Sequence, residues 1–345
     1  MSHMKFQRDI SSSQATLPIV CTIAFALWFV LPSPYTLQDY LFPDYGLWQH
    51  LPPFFHSSQY SLPLGFICAA IAVYMMVELK NRNLLLRVNS YMLSSTLALL
   101  LAIVAPLHPF QPCSLIMLFT LYSYFPLFAS YQMPHPYLAF SIYLPLSLAS
   151  FFFPQFILLV PIYWCLQIYL RSFSIRSFFA SIIAIILPYW FYGGIAIVTD
   201  SLPQFISHLQ SIIAIPDLFA TSSNTTDLIH LSLPSCSSSL FPFFLLTILM
   251  LIIGIIDFQL NKLLDKTRTR SLYNVVQWHA ISLILFIVLY HHHTATLLPL
   301  LILDTSIIYG HFFTLTHTRF SHILNIIIFT LIIFLLVIQV IYVHT

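Results

Sequence analysis

Asp304 stands in the run Leu-Leu-Ile-Leu-Asp-Thr-Ser-Ile-Ile, an acid among aliphatic side chains near the middle of an apolar stretch. A carboxylate at the centre of a bilayer costs about 2.5–3.5 kcal/mol on insertion scales, so it must be paired, protonated or functional. His311 follows two helical turns later on the same face, and His279 enters the preceding apolar stretch at the same level. The short 291–294 turn makes those two helices neighbours, so Asp304, His311 and His279 suggest one intramembrane polar track for a proton or a ligand. The competing expectation is structural, with a protonated Asp304 bonded to Thr305, Ser306 or a neighbouring helix. Both stay open.

Other candidate groups lie nearer the two surfaces. Asp39 and Asp44 fall in a loop where a carboxylate is placed to act as general base on an acceptor hydroxyl, as in membrane glycosyltransferases that use lipid-linked donors. Holding a lipid phosphate there normally needs Arg or Lys. Yet Asp39, Asp44, Asp200, Asp217 and Asp227 all face that side without a basic partner. His291, His292 and His293 are consecutive, and neighbours on a helix point about 100° apart, so they do not readily meet one metal. No metal centre is expected of them unless His50, His56 or His108 joins from another loop. On the opposite surface Arg171 and Arg176, with Arg268 and Arg270, suggest a cluster around a headgroup phosphate; the alternative is solvated charges that only set topology. Nucleotide-binding, zinc, serine-hydrolase and Cys-x-x-Cys motifs are missing, and no cofactor is expected. Basic residues are few and scattered, which argues against nucleic-acid binding.

The elements that position these residues follow from composition. Charged residues make up 6% of the chain and hydrophobic residues 59%, where a globular protein has about 25% and 45–50%. That excludes a soluble protein and predicts an all-α polytopic transmembrane bundle forming a single integral membrane domain over 1–345. A spanning helix needs about 20 apolar residues. Spans are expected near 15–33, 60–79, 89–107, 112–131, 137–152, 154–170, 177–199, 237–257, 275–292, 294–313 and 321–343, eleven in all. The first apolar run lacks a small-residue cleavage site and reads as a retained helix, and Ser2-His3-Met4 reads as a cloning remnant with Met4 the native start.

Charge then orients the bundle. With eleven spans, all 12 Lys and Arg residues, from Lys5 and Arg8 to Arg319, fall on one side, which the positive-inside bias makes cytoplasmic. The amino terminus is therefore expected inside and the carboxyl terminus outside. The stretch 137–170 decides the count: one crossing there would move seven basic residues outside, whereas two short helices turning at Pro154 move none. Outer loops are expected at 34–59 and 200–236, the second opening with an amphipathic surface helix near 202–215. Its apolar side is Leu202, Phe205, Ile206, Leu209, Ile212 and Ile213, with His208 among the polar residues opposite. The loop 258–274 is basic and inner. Cys113 and Cys236 share the outer side, and whether they pair is open. With six glycines and no Gly-x-x-x-Gly, helix packing is expected to rely on bulk and shape.

Several loose matches carry a family resemblance. They are Asn81-Arg82-Asn83 to Tyr91, Leu107-His108-Pro109, Ser130-Tyr131-Gln132 and Ala149-Ser150-Phe151-Phe152-Phe153-Pro154. Further along come Leu170-Arg171-Ser172-Phe173-Ser174-Ile175-Arg176, Leu187-Pro188-Tyr189-Trp190, His311-Phe312-Phe313-Thr314-Leu315-Thr316 and Thr318-Arg319-Phe320. Over roughly 80–345 the chain resembles an uncharacterised family of bacterial multi-pass inner-membrane proteins. The resemblance implies a Gram-negative inner-membrane protein of the cell envelope and brings no assigned activity.

Three function classes remain. The scattered polar residues and bulky aromatic surfaces favour a non-catalytic subunit or scaffold of an envelope assembly, with the lipid bilayer and other membrane or envelope proteins as partners. An enzyme acting on a lipid-linked sugar or lipid rests on Asp39 and Asp44, and a proton-coupled transporter or flippase rests on Asp304.

Overall fold

An apolar chain in hydrocarbon must pair every backbone N–H and C=O internally, and the helix is the local way to do so. The computed structural model describes residues 13, 15–31, 48, 58–213, 240–289, 293–316 and 318–344, and is all-helical among them. The helices are α1 (Thr16–Val30), α2 (Ser58–Asn83), α3 (Met92–Ile103), α4 (Pro112–Ala129), α5 (Pro136–Ser150) and α6 (Val160–Tyr169). They continue as α7 (Ile175–Val198), α8 (Leu202–Ile213), α9 (Phe241–Asn261), α10 (Thr267–Leu289), α11 (Thr294–Leu315) and α12 (Arg319–His344). Pro112 and Pro136 open α4 and α5, where a missing N–H costs nothing. Ser174 caps α7, its Oγ accepting from the Ser177 amide at 3.1 Å.

Among the described residues seven helices are long and apolar enough to cross a membrane: α2, α4, α7, α9, α10, α11 and α12. The remaining expected spans are shorter, 15 residues in α1, 12 in α3, 15 in α5 and 10 in α6. At 1.5 Å per residue α3 covers only about 18 Å. Beyond it the chain makes a single 3-10 turn, Ala105–Leu107, and runs on irregularly, with 104–111 buried throughout. Irregular backbone at such depth needs protein partners, and it has them. His108 Nε2 lies 3.0 Å from the Ala102 carbonyl, the Gln111 side chain donates to the Pro106 carbonyl at 3.0 Å, and the Phe110 amide donates to the Ser61 carbonyl at 2.9 Å.

The 137–170 stretch doubles back. α5 ends at Ser150, a turn and a 3-10 segment (Pro154–Leu159) follow, and α6 returns. The ends meet where the Gln132 amide donates to the Leu170 carbonyl at 2.9 Å and Ser130 Oγ donates to Ser172 Oγ at 3.2 Å. Tyr143 Oη, donating to Gln167 Oε1 at 3.1 Å, ties the two arms together.

α11 is the axis of the bundle. Every described residue from Thr294 to Thr314 is buried, and α3, α4, α9 and α10 pack around it. Bulk alone does not set these crossings. A Cβ on Gly310 would sit 2.9 Å from Leu93 Cα of α3, and one on Gly254 of α9 would sit 2.7 Å from Ile308 Cγ2. Two isolated glycines thus allow the closest approaches to the central helix, without the spaced pair that a motif search looks for.

α8 forms at the expected place but is rolled differently. Leu202, Ile206 and Leu209 are exposed, whereas His208 is buried against the rings of Phe151, Tyr189 and Tyr192. The expectation that His208 faces away from the apolar surroundings is therefore corrected. The bundle receives neither side whole: Phe205 packs edge-on to Tyr192 at 5.2 Å beside His208, while Gln204 and Gln210 stay exposed.

Candidate functional site

Asp304, halfway along α11, is the centre of a polar cluster drawn from four helices. Its Oδ2 lies 2.7 Å from His279 Nδ1 of α10. Its Oδ1 accepts from Tyr124 Oη of α4 at 2.5 Å, and the same hydroxyl is 2.7 Å from His279 Nδ1. On the far side of the imidazole, Nε2 is 3.2 Å from Tyr163 Oη of α6. All four side chains are fully buried. The Tyr124 ring stands edge-on to His279 at 5.5 Å and the Tyr163 ring at 5.3 Å, so the imidazole is held by shape as well as by bonding.

The donor and acceptor count is constrained. Tyr124 has one proton, and its shortest contact assigns that proton to Asp304. The 2.7 Å contact between His279 Nδ1 and the other carboxyl oxygen then holds a proton of its own, leaving Nε2 to meet Tyr163. Burial of these groups away from water is tolerated because each polar atom has a partner within the cluster. Thr305 and Ser306, expected as local partners of the acid, play no part. Thr305 Oγ1 has no hydrogen-bond partner among the described residues, and Ser306 Oγ donates to the Leu303 carbonyl.

His311 does not join this cluster. Two turns along α11 its Nε2 stands 3.2 Å from Asp265 Oδ2, near enough for an ion pair though poorly aligned for a hydrogen bond. Asp265 Oδ1 accepts from Arg87 Nε at 2.7 Å, and the Tyr273 ring packs edge-on to the imidazole at 4.5 Å. Burial pushes the Asp265 carboxyl up, but His311 and Arg87 together outweigh it and hold the group below the usual carboxylate range. The single track expected of Asp304, His311 and His279 is thus two separate clusters. Residues three to four apart share a helix face, but which neighbour each meets depends on the helices packed there.

Sequence reasoning missed Tyr124, Tyr163, Asp265 and Arg87. Tyrosines in apolar helices carry no signal beyond a hydroxyl that needs a partner. Asp265, the one acid between Lys262 and Arg270, was a legible oddity in a basic loop.

The four arginines expected around a headgroup divide. Arg171 and Arg270 line one cavity of about 570 Å³ together with Lys262. Arg268 lines a second, of about 580 Å³, with Glu78 and Arg82, and its Nη2 donates to Asn83 Oδ1 at 3.3 Å. Arg176 is exposed on α7 and lines neither. Arg268 and Arg270 are two positions apart on one helix and so point to opposite flanks.

Compared with known proteins, the chain matches no family model, no curated protein and no solved structure. The site therefore stands on its own geometry. His293 is buried with its ring 5.0 Å from that of Phe153. Asp39, Asp44, His291, His292 and Cys236 lie outside the described residues, and Cys113 is buried at the start of α4.

Proposed function

We propose that this protein is a non-catalytic subunit or scaffold of a cell-envelope assembly, seated in a bacterial inner membrane by eleven crossings. Its amino terminus is cytoplasmic and its carboxyl terminus outside. The observation that carries this reading is the closure of the polar core: Asp304 and His279 are fully buried and spend their bonding on Tyr124 and Tyr163. Such a cluster locks four helices in one register, which serves a rigid platform better than a site that must admit substrate. The out-and-back course of 132–170 supports the count of crossings, because it returns Arg171 to the side from which the chain left. Apolar side chains of α7, among them Trp190, Phe191 and Val198, are exposed and give lipid or partner helices a broad surface. Gentle extraction from native membranes tests the reading. A particle with defined stoichiometry and larger than the 39.7 kDa chain in its micelle is expected, and a lone monomer would remove it.

A second reading, a proton-coupled transporter, is favoured by one observation, the 2.7 Å contact between the buried titratable side chains of His279 and Asp304. It requires Asp304→Asn to insert and accumulate normally while the function fails. The scaffold reading requires the same variant to lose stability.

A further inference from the structure

We propose that the cavity bounded by Arg171, Lys262 and Arg270 binds the phosphate group of an anionic ligand. This goes beyond the scaffold reading and does not depend on it. Three cationic side chains line one space with no Asp or Glu among its walls. None of the three has a carboxylate partner among the described residues. Asp265, the acid nearest to them in sequence, is turned to Arg87 and His311. Like charges gathered without a counter-charge repel, and a bound anion removes that cost.

Most of the remaining walls are polar, and among them Gln132, Ser271 and Asn274 are held in place by hydrogen bonds to Tyr131 Oη, the Thr267 carbonyl and Tyr169 Oη. Thr267 and Arg270, which line the cavity, form part of the first turn of α10, so its positive end adds to the field of the side chains. Arg171 and Gln132 both hold left-handed backbone conformations, φ 56° and φ 59°. Such conformations are costly for residues other than glycine and persist where the surroundings enforce them. Here the enforcing bond is the Gln132 amide to the Leu170 carbonyl, at the neck of the α5–α6 hairpin. The volume, about 570 Å³, exceeds what a bare phosphate fills and suits a phosphate carrying an organic substituent. Guanidinium groups meet phosphate oxygens through paired N–H bonds.

A phospholipid headgroup and a soluble phosphate share this chemistry. Leu260, Leu263 and Leu264, exposed by 77%, 80% and 67% beside Lys262, favour the lipid source. Apolar side chains next to cations suit a membrane surface, where the first enter the acyl region and the second meet headgroups.

The test uses the full chain in phosphatidylcholine nanodiscs with and without phosphatidylglycerol, with retained lipid counted by native mass spectrometry. Inorganic phosphate is the second arm, read by thermal shift. The wild type is expected to retain phosphatidylglycerol in preference to phosphatidylcholine. The pair Arg171→Gln with Arg270→Gln should weaken that preference by about tenfold or more, and Arg268→Gln should not. A thermal shift with phosphate alone, lost in the double variant, assigns the site to a soluble phosphate instead. Neither preference nor shift, or an unchanged double variant, overturns the proposal. Should the double variant fail to accumulate, the wild type decides by salt dependence, since an affinity unmoved by ionic strength excludes a charge-built site.

Discussion

His279 Nδ1 lies 2.7 Å from Asp304 Oδ2, with both side chains fully buried between helices α10 and α11. The pair joins helices consecutive in the chain, and Tyr124 and Tyr163 extend it to α4 and α6. Removing one partner of a buried pair strands the other, at about 3–5 kcal/mol. Asp304→Leu alone is expected to cost that much in detergent unfolding, and so is His279→Leu. Combined, the two should cost clearly less than their sum, because the double variant buries no orphaned charge. Additivity in that cycle would show that the two groups do not depend on each other.

The tyrosines should rank by their contacts. Tyr124→Phe keeps the ring but leaves Asp304 Oδ1 without its 2.5 Å donor, at a cost of about 1–3 kcal/mol. Tyr163→Phe removes only a 3.2 Å contact to His279 Nε2 and should cost less. Equal melting temperatures for the two variants would contradict the bonding order given above.

Close approach at the axis is testable with a single methyl group. Gly310→Ala places its Cβ 2.9 Å from the Leu93 backbone, whereas Gly194→Ala meets nothing within 4 Å. The first is expected to lose about 1–3 kcal/mol through displaced helices. The second should be neutral or slightly stabilising, by up to about 1 kcal/mol, because alanine is the better helix former. Thermal denaturation of the two side by side checks the contrast.

Two groups outside the spanning helices make stability depend on pH. Burial pushes the His208 imidazole down to about 4. In the unfolded chain it would take up a proton near pH 6.5. Between those values only the unfolded state is protonated, so stability falls as pH falls across that window. Asp265 is held below its ordinary range, so its contribution is complete above about pH 4. That contribution is lost as pH drops through the lowered value. Melting temperature against pH should therefore decline in two stages. His208→Phe should flatten the upper stage, and Arg87→Gln should shrink the lower one.

Composition and apolar run lengths were enough to establish a helical chain suited to a membrane, because hydrocarbon admits few ways to pair a backbone. Seven helices long and apolar enough to cross follow from that constraint. The significance of Asp304 was equally legible, since an acid among Leu and Ile is costly wherever it sits. Its partners were legible only in part. His279 could be placed from the short turn between α10 and α11, a local feature, while Tyr124 lies 180 positions from Asp304 and Tyr163 lies 116 from His279, and both arrive only by packing. His311 went to Asp265 and not to Asp304 for the same reason: periodicity names the face of a helix, and the neighbouring helices choose what that face meets. Within the expected span 89–107 the helix α3 ends at Ile103, a break that hydropathy does not register because it measures transfer from water and not hydrogen-bond pattern. The sequence by itself thus determined the solvent this protein is suited to and the cost of its one central acid. The tertiary structure decided how that cost is met, through contacts between segments whose separation along the chain leaves no local trace.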